Sequence, residues 1–529
     1  MTGRRDGQDA PGRSGADLPV SEVRSGNRRV VIVGGGTAGW MVAAAFSRFL
    51  ESGWDIALVE SDAIGTVGVG EATIPQIRLF NAALGINEDA FLRATHGSIK
   101  LGIEFVDWWR PVTRYMHGFG ATGRDLGLIA FHHYWRRAKA LGLADDLGCY
   151  SANVTAAYAN RFDRAAAQPA QSRPPIPYAF HFDAGLYARF LRSYAEARGV
   201  QRTEGRIGKV SQDGESGDIR SVTLHGGKEI AGDLFIDCSG FRGLLIGETL
   251  GVGYQDWSHW LPCDRALAVP CARVDPITPY TRSTAREGGW QWRIPLQHRT
   301  GNGLVYCSGA LSDADAAETL LGTLDGAALA DPRPLRFVTG RRAEAWRGNT
   351  VAVGLASGFL EPLESTSIHM VQSAIERILA FLPNGAPDTR AIAEYNRQTA
   401  FEMERIRDFI ILHYKANERT GSAFWQQCAA MPVPDSLAAR IDLFREAGRI
   451  FKEGNELFTE VGWVQVLIGQ GVLPESWHPL ADQVPADDLR DFLGLQARLN
   501  RDRAAAMPGH GDFLAQHCAA ALETLETVQ

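Results

Sequence analysis

The segment Gly34-Gly35-Gly36-Thr37-Ala38-Gly39 constrains this chain more than any other stretch. It follows Arg29-Val30-Val31-Ile32-Val33, an apolar run with the composition of a buried parallel strand. It precedes Trp40 to Leu50, where apolar residues recur at helical spacing. A GxGxxG between a strand and a helix predicts a dinucleotide turn. Its glycines permit a tight bend and let a pyrophosphate approach backbone amides at the positive end of the helix. The next run, Ile56-Ala57-Leu58-Val59-Glu60, reads as a second strand and completes a βαβ unit. A carboxylate at Glu60 can accept hydrogen bonds from both ribose hydroxyls, and it would repel the extra phosphate of NADP. Gly34, Gly36, Thr37, Ala38, Gly39 and Glu60 are therefore the expected cofactor-binding residues.

FAD and NAD both fit such a turn. FAD is favoured by Asp233-Leu234-Phe235-Ile236-Asp237-Cys238-Ser239-Gly240, a further strand ending in small residues, as FAD-binding two-dinucleotide folds have beside the flavin. No second GxGxxG follows. The chain is therefore expected to receive reduced flavin from a separate NAD(P)H-dependent reductase.

The expected fold is α/β: a Rossmann-like FAD-binding module over 28–384, with a mainly helical region over 385–529 completing the substrate site. Leu234–Asp237 and Val351–Gly354 read as further buried strands, and Ile392 to Glu418 carries apolar residues at helical spacing. Aromatic-rich insertions over about 108–200 and 257–340 are assigned to the substrate region. Residues 1–27, rich in Gly, Arg, Asp and Ser, read as a disordered tail. The net charge of −7 argues against a nucleic-acid partner, since phosphate binding needs a basic surface. Seven scattered cysteines without a CxxC pair read as reduced thiols of a cytoplasmic protein, with neither disulfides nor a metal site. Arg28-Arg29 before Val30–Phe46 imitates a secretory segment, but three consecutive glycines and the acid at Glu60 fit a nucleotide fold better. No other stretch is apolar and long enough to span a membrane.

Three further motifs carry chemistry. Trp290-Gln291-Trp292-Arg293-Ile294-Pro295 places Trp290, Trp292 and Ile294 on one face of a strand, which from spacing alone fits a hydrophobic core equally well. Lys100 shares a predicted strand face with Gly102 and Glu104, and on pattern alone it is a solvated lysine paired with Glu104. Glu364-Ser365-Thr366-Ser367 precedes a helical run to Leu382, so Ser365 or Thr366 is a natural N-cap. The same helix start would also suit an anion.

Together with Gly68-Val69-Gly70-Glu71-Ala72-Thr73-Ile74-Pro75, these motifs resemble the flavin-dependent tryptophan halogenases, from about residue 29 to 480. The resemblance implies an enzyme that uses reduced FAD, oxygen and chloride or bromide to halogenate an electron-rich aromatic ring: tryptophan, free indole, or a related indole or phenol. It implies that Lys100 relays hypohalous acid, as a haloamine or by hydrogen bond, and that Glu364 stabilises the cationic ring or assists its deprotonation. It places halide at Thr366 and Ser367, although the family usually has glycine where this chain has Ser367. It makes Trp290, Trp292, Ile294 and Pro295 the partition between flavin and substrate, and sets Ala72, Val210, Leu355 and Ile368 beside the cofactor. A homodimer is compatible with it. Two alternatives stay open: an FAD-dependent aromatic monooxygenase that hydroxylates substrate directly, and a non-catalytic flavin-binding redox sensor. The tryptophan-binding clamp of the family has no residue-by-residue match in Phe451 to Trp463.

Overall fold

The computed structural model describes residues 27–50, 52–63, 70–167, 175–383 and 388–520. The tail expected over 1–27 lies, apart from Asn27, outside the described residues, as do Gly68 and Val69.

The βαβ unit consists of strand Arg28–Val33, helix Thr37–Phe49 and strand Trp54–Glu60. It lies at the centre of a six-stranded sheet in the order Trp346–Arg347, Thr350–Ala352, Leu234–Asp237, Arg28–Val33, Trp54–Glu60, Gln201–Glu204. Only the Trp346–Arg347 pairing is antiparallel. A central parallel strand has two faces to bury, and its side chains divide accordingly. Val30 and Ile32 pack with Trp40, Val42 and Phe46, whereas Val31 and Val33 pack with Ile219, Val222 and Ile230. The first face is covered by Thr37–Phe49 with Ala184–Glu196 and Ser367–Ala380. The second is covered by the antiparallel sheet Ile207–Gln212, Ile219–Leu224, Glu229–Ala231.

Ala184–Glu196 lies inside the 108–200 stretch that the sequence assigns to the substrate region, yet it packs on Thr37–Phe49. Its buried stripe of Tyr187, Ala188, Leu191 and Ala195 explains why: the stripe completes the nucleotide layer.

A seven-stranded sheet forms the other half, in the order Arg333–Arg336, Arg265–Ala272, Arg299–Tyr306, Gly289–Pro295, Thr281–Arg286, Gly102–Val106, Arg114–Gly118. The Trp-rich strand occupies its middle, and every one of its residues is buried. The 27-residue helix Thr389–Lys415 lays Ile406, Phe409, Ile410 and Tyr414 against Phe105, Trp108 and Trp290, and Trp425, Phe444 and Trp463 close the same core. No helix among the described residues is long and apolar enough to cross a membrane.

The turn that joins first strand and first helix is tightly closed. Gly34 has φ +112°, and a β-carbon on Gly39 would lie 1.8 Å from the Gly34 carbonyl oxygen. Gly39→Ala must therefore push helix from strand, and it is expected to cost about 1–3 kcal/mol, read as a lowered unfolding midpoint in urea. An unchanged midpoint would contradict this packing.

Candidate active site

A cavity of about 800 Å³ opens at the ends of the parallel strands, on the crevice side of the glycine turn. Gly34 to Ala38, Glu60, Ala72, Leu355 and Ile368 line it, and Trp290, Trp292 and Ile294 form the facing wall. A β-carbon on Gly36 would meet no atom within 4 Å, so this backbone lies open to a ligand. Gly39 is not in the lining and serves the turn from beneath. The Glu60 carboxylate is paired with Arg202 and accepts from Trp40 Nε1 at 3.3 Å, which fixes it at the rim where ribose hydroxyls would reach it. Open glycine backbone, a rim carboxylate and cofactor-sized volume together fit a dinucleotide such as FAD.

Val210 is a correction to the expected lining. Its strand turns it onto Val222 and the hydrophobic cover of the sheet, and Gly205, Arg206 and Ile207 reach the cavity instead. Glu71, which the sequence reading left without a role, also lines the cavity. Burial and the nearby Asp183 push its carboxyl up to about 7.

The wall strand alternates as its spacing predicts. Pro295 is outside the lining, and its carbonyl accepts from Ser98 Oγ at 2.6 Å. Ser98 begins strand Ser98–Lys100, so the wall is tied directly to the strand that carries Lys100.

Lys100 is 0% exposed and makes no pair with Glu104, contrary to the solvated pairing expected from pattern. The strand breaks at Leu101, whose N–H donates to Pro279, and Glu104 faces Arg114 at 3.5 Å. Lys100 Nζ instead donates to Ser365 Oγ at 2.7 Å and lies 5.3 Å from the Phe119 ring centroid. Burial lowers its pKa to about 7, against an opposing pull from Glu364. Ser365 holds φ +60°, ψ +37°, a left-handed conformation that costs a non-glycine residue about 1 kcal/mol or more. This serine also lines the cavity, so one side chain touches both the cofactor space and the amine.

Thr366 occupies the N-cap position of helix Ser367–Ala380, but its side chain caps nothing. Its fully buried Oγ1 has no hydrogen-bond partner among the described residues. An unused hydroxyl donor beside a helix N-terminus suits an anion the size of a halide. Ser367 and Ile368, the next two residues, face the cavity.

Glu364 is buried between two histidines that no sequence spacing singled out. His117 Nδ1 lies 2.9 Å from Oε2, and His413 Nε2 lies 2.9 Å from Oε1. His413 Nδ1 meets the Phe409 carbonyl at 2.9 Å, and a carbonyl only accepts, so Nδ1 carries a proton. Burial alone would raise the Glu364 pKa, but the two imidazoles outweigh it and bring it to about 2. Glu364 is therefore held as a carboxylate.

The tryptophan halogenase family model matches residues 29–486. Tryptophan 6-halogenase SttH of Streptomyces toxytricini is 35% identical, over 89% of this chain and 94% of its own. Xcc4156, a flavin-dependent halogenase from Xanthomonas campestris, is 51% identical with TM-score 0.91, over 93% of this chain and 99% of that one. BrvH, a flavin-dependent halogenase from Brevundimonas sp. BAL3, is 45% identical with TM-score 0.88, over the same shares.

The buried amine sets a pH test. Because folding lowers the Lys100 pKa from 10.5 to about 7, its cost is full below pH 7 and fades toward pH 10.5. Lys100→Met should therefore raise thermal stability most below pH 7, with the gain shrinking as pH rises through that window. Calorimetry giving a pH-independent difference would contradict a buried, depressed amine.

Proposed function

The chain belongs to the tryptophan halogenase family and is a flavin-dependent halogenase, and from that premise we propose that Lys100 and Glu364 halogenate a small, uncharged aromatic ring. The observation that carries this reading is the buried Lys100 amine, set against Ser365 at the edge of the cofactor cavity. A neutral amine is a nucleophile, and burial makes that form available near pH 7.

Gly34 to Ala38 and Glu60 would hold FAD, and Leu355, Ile368 and Ala72 would border it. When bound in reduced form, FAD with O2 supplies the two-electron oxidation that turns chloride or bromide into hypohalous acid. A separate NAD(P)H-dependent reductase supplies that reduced flavin, since the chain has one GxGxxG. Thr366 Oγ1 and the amides at the start of Ser367–Ala380 hold the halide. Trp290, Trp292 and Ile294 keep organic substrate off the cavity, so only small species pass. Lys100 takes the halogen from hypohalous acid, releasing water, and the N–X bond breaks as the ring carbon forms its C–X bond. The electron pair returns to nitrogen, which takes up the proton lost from the ring, by way of Glu364, and is an amine again. Glu364, held ionised by His117 and His413, balances the cationic ring and accepts the proton that leaves it.

The substrate class follows from the segment over this site. Phe458 stacks on Phe409 at 3.8 Å between centroids, and Trp463 meets the same ring edge-on at 4.7 Å. Glu456, the buried carboxylate there, is held by Arg440 at 2.9 and 3.2 Å, and that guanidinium lies over Trp463. Glu453 pairs with Arg405, and Glu460 accepts from the Lys452 amide. Among the described residues of this segment, the one buried carboxylate, Glu456, is already taken by Arg440 and is not free for the ammonium of an amino acid. An unmet charged contact costs about 1.5–3 kcal/mol, so free indole should exceed tryptophan in kcat/KM by about 10- to 100-fold.

Mass spectrometry of an indole, tryptophan and phenol panel, with chloride and bromide in competition and a flavin reductase present, tests this directly. Preference for tryptophan would overturn the substrate class, and halide-independent ring hydroxylation would mark a monooxygenase instead. Lys100→Ala is expected to abolish ring halogenation while FAD is retained, and Glu364→Gln to lower kcat by about 10²–10⁴-fold. Intact product from Lys100→Ala would end the relay proposal.

A further inference from the structure

We propose that Glu361 is a positioning residue for the wall: its carboxyl pins the indole of Trp290 and ties it, through Tyr414, to the helix that carries His413. The proposal rests on the wall reading given above and extends it to a residue outside the halide loop and the amine.

Glu361 is 0% exposed. One of its oxygens, Oε2, accepts from Trp290 Nε1 at 2.8 Å and from Tyr414 Oη at 2.6 Å. The other, Oε1, is buried without a hydrogen-bond partner, and no cation pairs with the carboxyl among the described residues. Burying a carboxyl without a cation costs several kcal/mol, so its two donors are what make this position tolerable. Burial pushes it up to about 7, yet Oε2 accepts from both donors whether Oε1 carries a proton or not. The geometry is therefore independent of protonation.

The three groups come from three elements that have to agree. Trp290 stands in the cavity wall. Glu361 immediately precedes the turn Pro362–Glu364, which delivers Glu364 and then Ser365. Tyr414 follows His413 on Thr389–Lys415, and it is itself held by Trp425, stacked at 5.6 Å and 16°. An indole has a single donor, so its ring orientation within this aromatic core is set by where that donor is received. Without Glu361 the ring keeps its apolar contacts with Trp108 and Trp292 but loses the one directional bond. The wall then admits alternative rotamers, and hypohalous acid escapes before it reaches Lys100.

The test uses the full chain with FAD, a flavin reductase, bromide and indole. It reads ring-brominated product per O2 consumed, hypobromous acid trapped by monochlorodimedone, and the ¹⁵N-indole resonance of Trp290, assigned with Trp290→Phe. Glu361→Leu should retain FAD, move the Trp290 N–H resonance upfield, lower coupled product about fivefold and raise trapped hypobromous acid. Glu361→Gln preserves the accepting oxygen, so it should hold the resonance and at least half of the coupled product. In the Trp290→Phe background, where the donor is gone, Glu361→Leu should add no further loss of coupling. The proposal is overturned if folded Glu361→Leu couples like the parent, if Glu361→Gln fails as badly as leucine, or if the losses simply add. Should the leucine variant not fold, the glutamine variant alone and combined with Trp290→Phe decides the matter by the same criteria. The indole resonance reports the bond even if Lys100→Ala were to leave halogenation intact, so failure of the relay and failure of the pin are read separately.

Discussion

A hydrogen bond of 2.7 Å between a fully buried amine, Lys100, and the hydroxyl of Ser365 joins the strand that supports the wall to the loop that opens the helix Ser367–Ala380. Lys100 ends a strand of a small three-stranded sheet with Ala179–Phe182 and Glu71–Ala72, tied to the wall through Ser98 and Pro295. Ser365 belongs to the nucleotide side, one residue before the N-cap of a helix that covers the parallel sheet. A buried ammonium is costly, and a left-handed serine is strained. Each is made tolerable by the other, and the shared contact sets the distance between cofactor cavity and amine.

Around that contact the same burial acts on two side chains of opposite charge, and their neighbours decide the outcome. Burial strips Lys100 toward the free amine, and the same burial would protonate Glu364 if it acted alone. Two histidines prevent it, one from strand Arg114–Gly118 and one from helix Thr389–Lys415. The result is an amine shifted toward its neutral form beside a carboxylate that stays ionised despite its burial. The aromatic core behind the wall supplies the rigidity, with Trp108, Trp290, Trp292, Tyr414 and Trp425 in mutual contact.

Much of the frame was legible because burial on two faces leaves a plain signature. Val30 to Val33 is uniformly apolar since alternate residues serve opposite layers, and the glycine turn follows from the backbone approach it must allow. Trp290, Trp292 and Ile294 likewise share one face as a period of two requires. The pattern failed where a chain break intervened: Lys100 and Glu104 share a parity but not a face, because Leu101 leaves the strand to bond Pro279. Val210, set beside the cofactor by the resemblance and not by pattern, turns its side chain onto the sheet cover.

By itself, then, the sequence determined the dinucleotide turn and the α/β class, because both are written in local spacing. Tertiary structure alone decided what state those residues are in. His117, Glu361, Glu364, His413 and Tyr414 acquire their roles from neighbours distant in the chain, and a hydrogen-bond partner or a desolvated pKa has no periodicity to announce it. Those properties exist only once the two halves close on one another and water is excluded from between them.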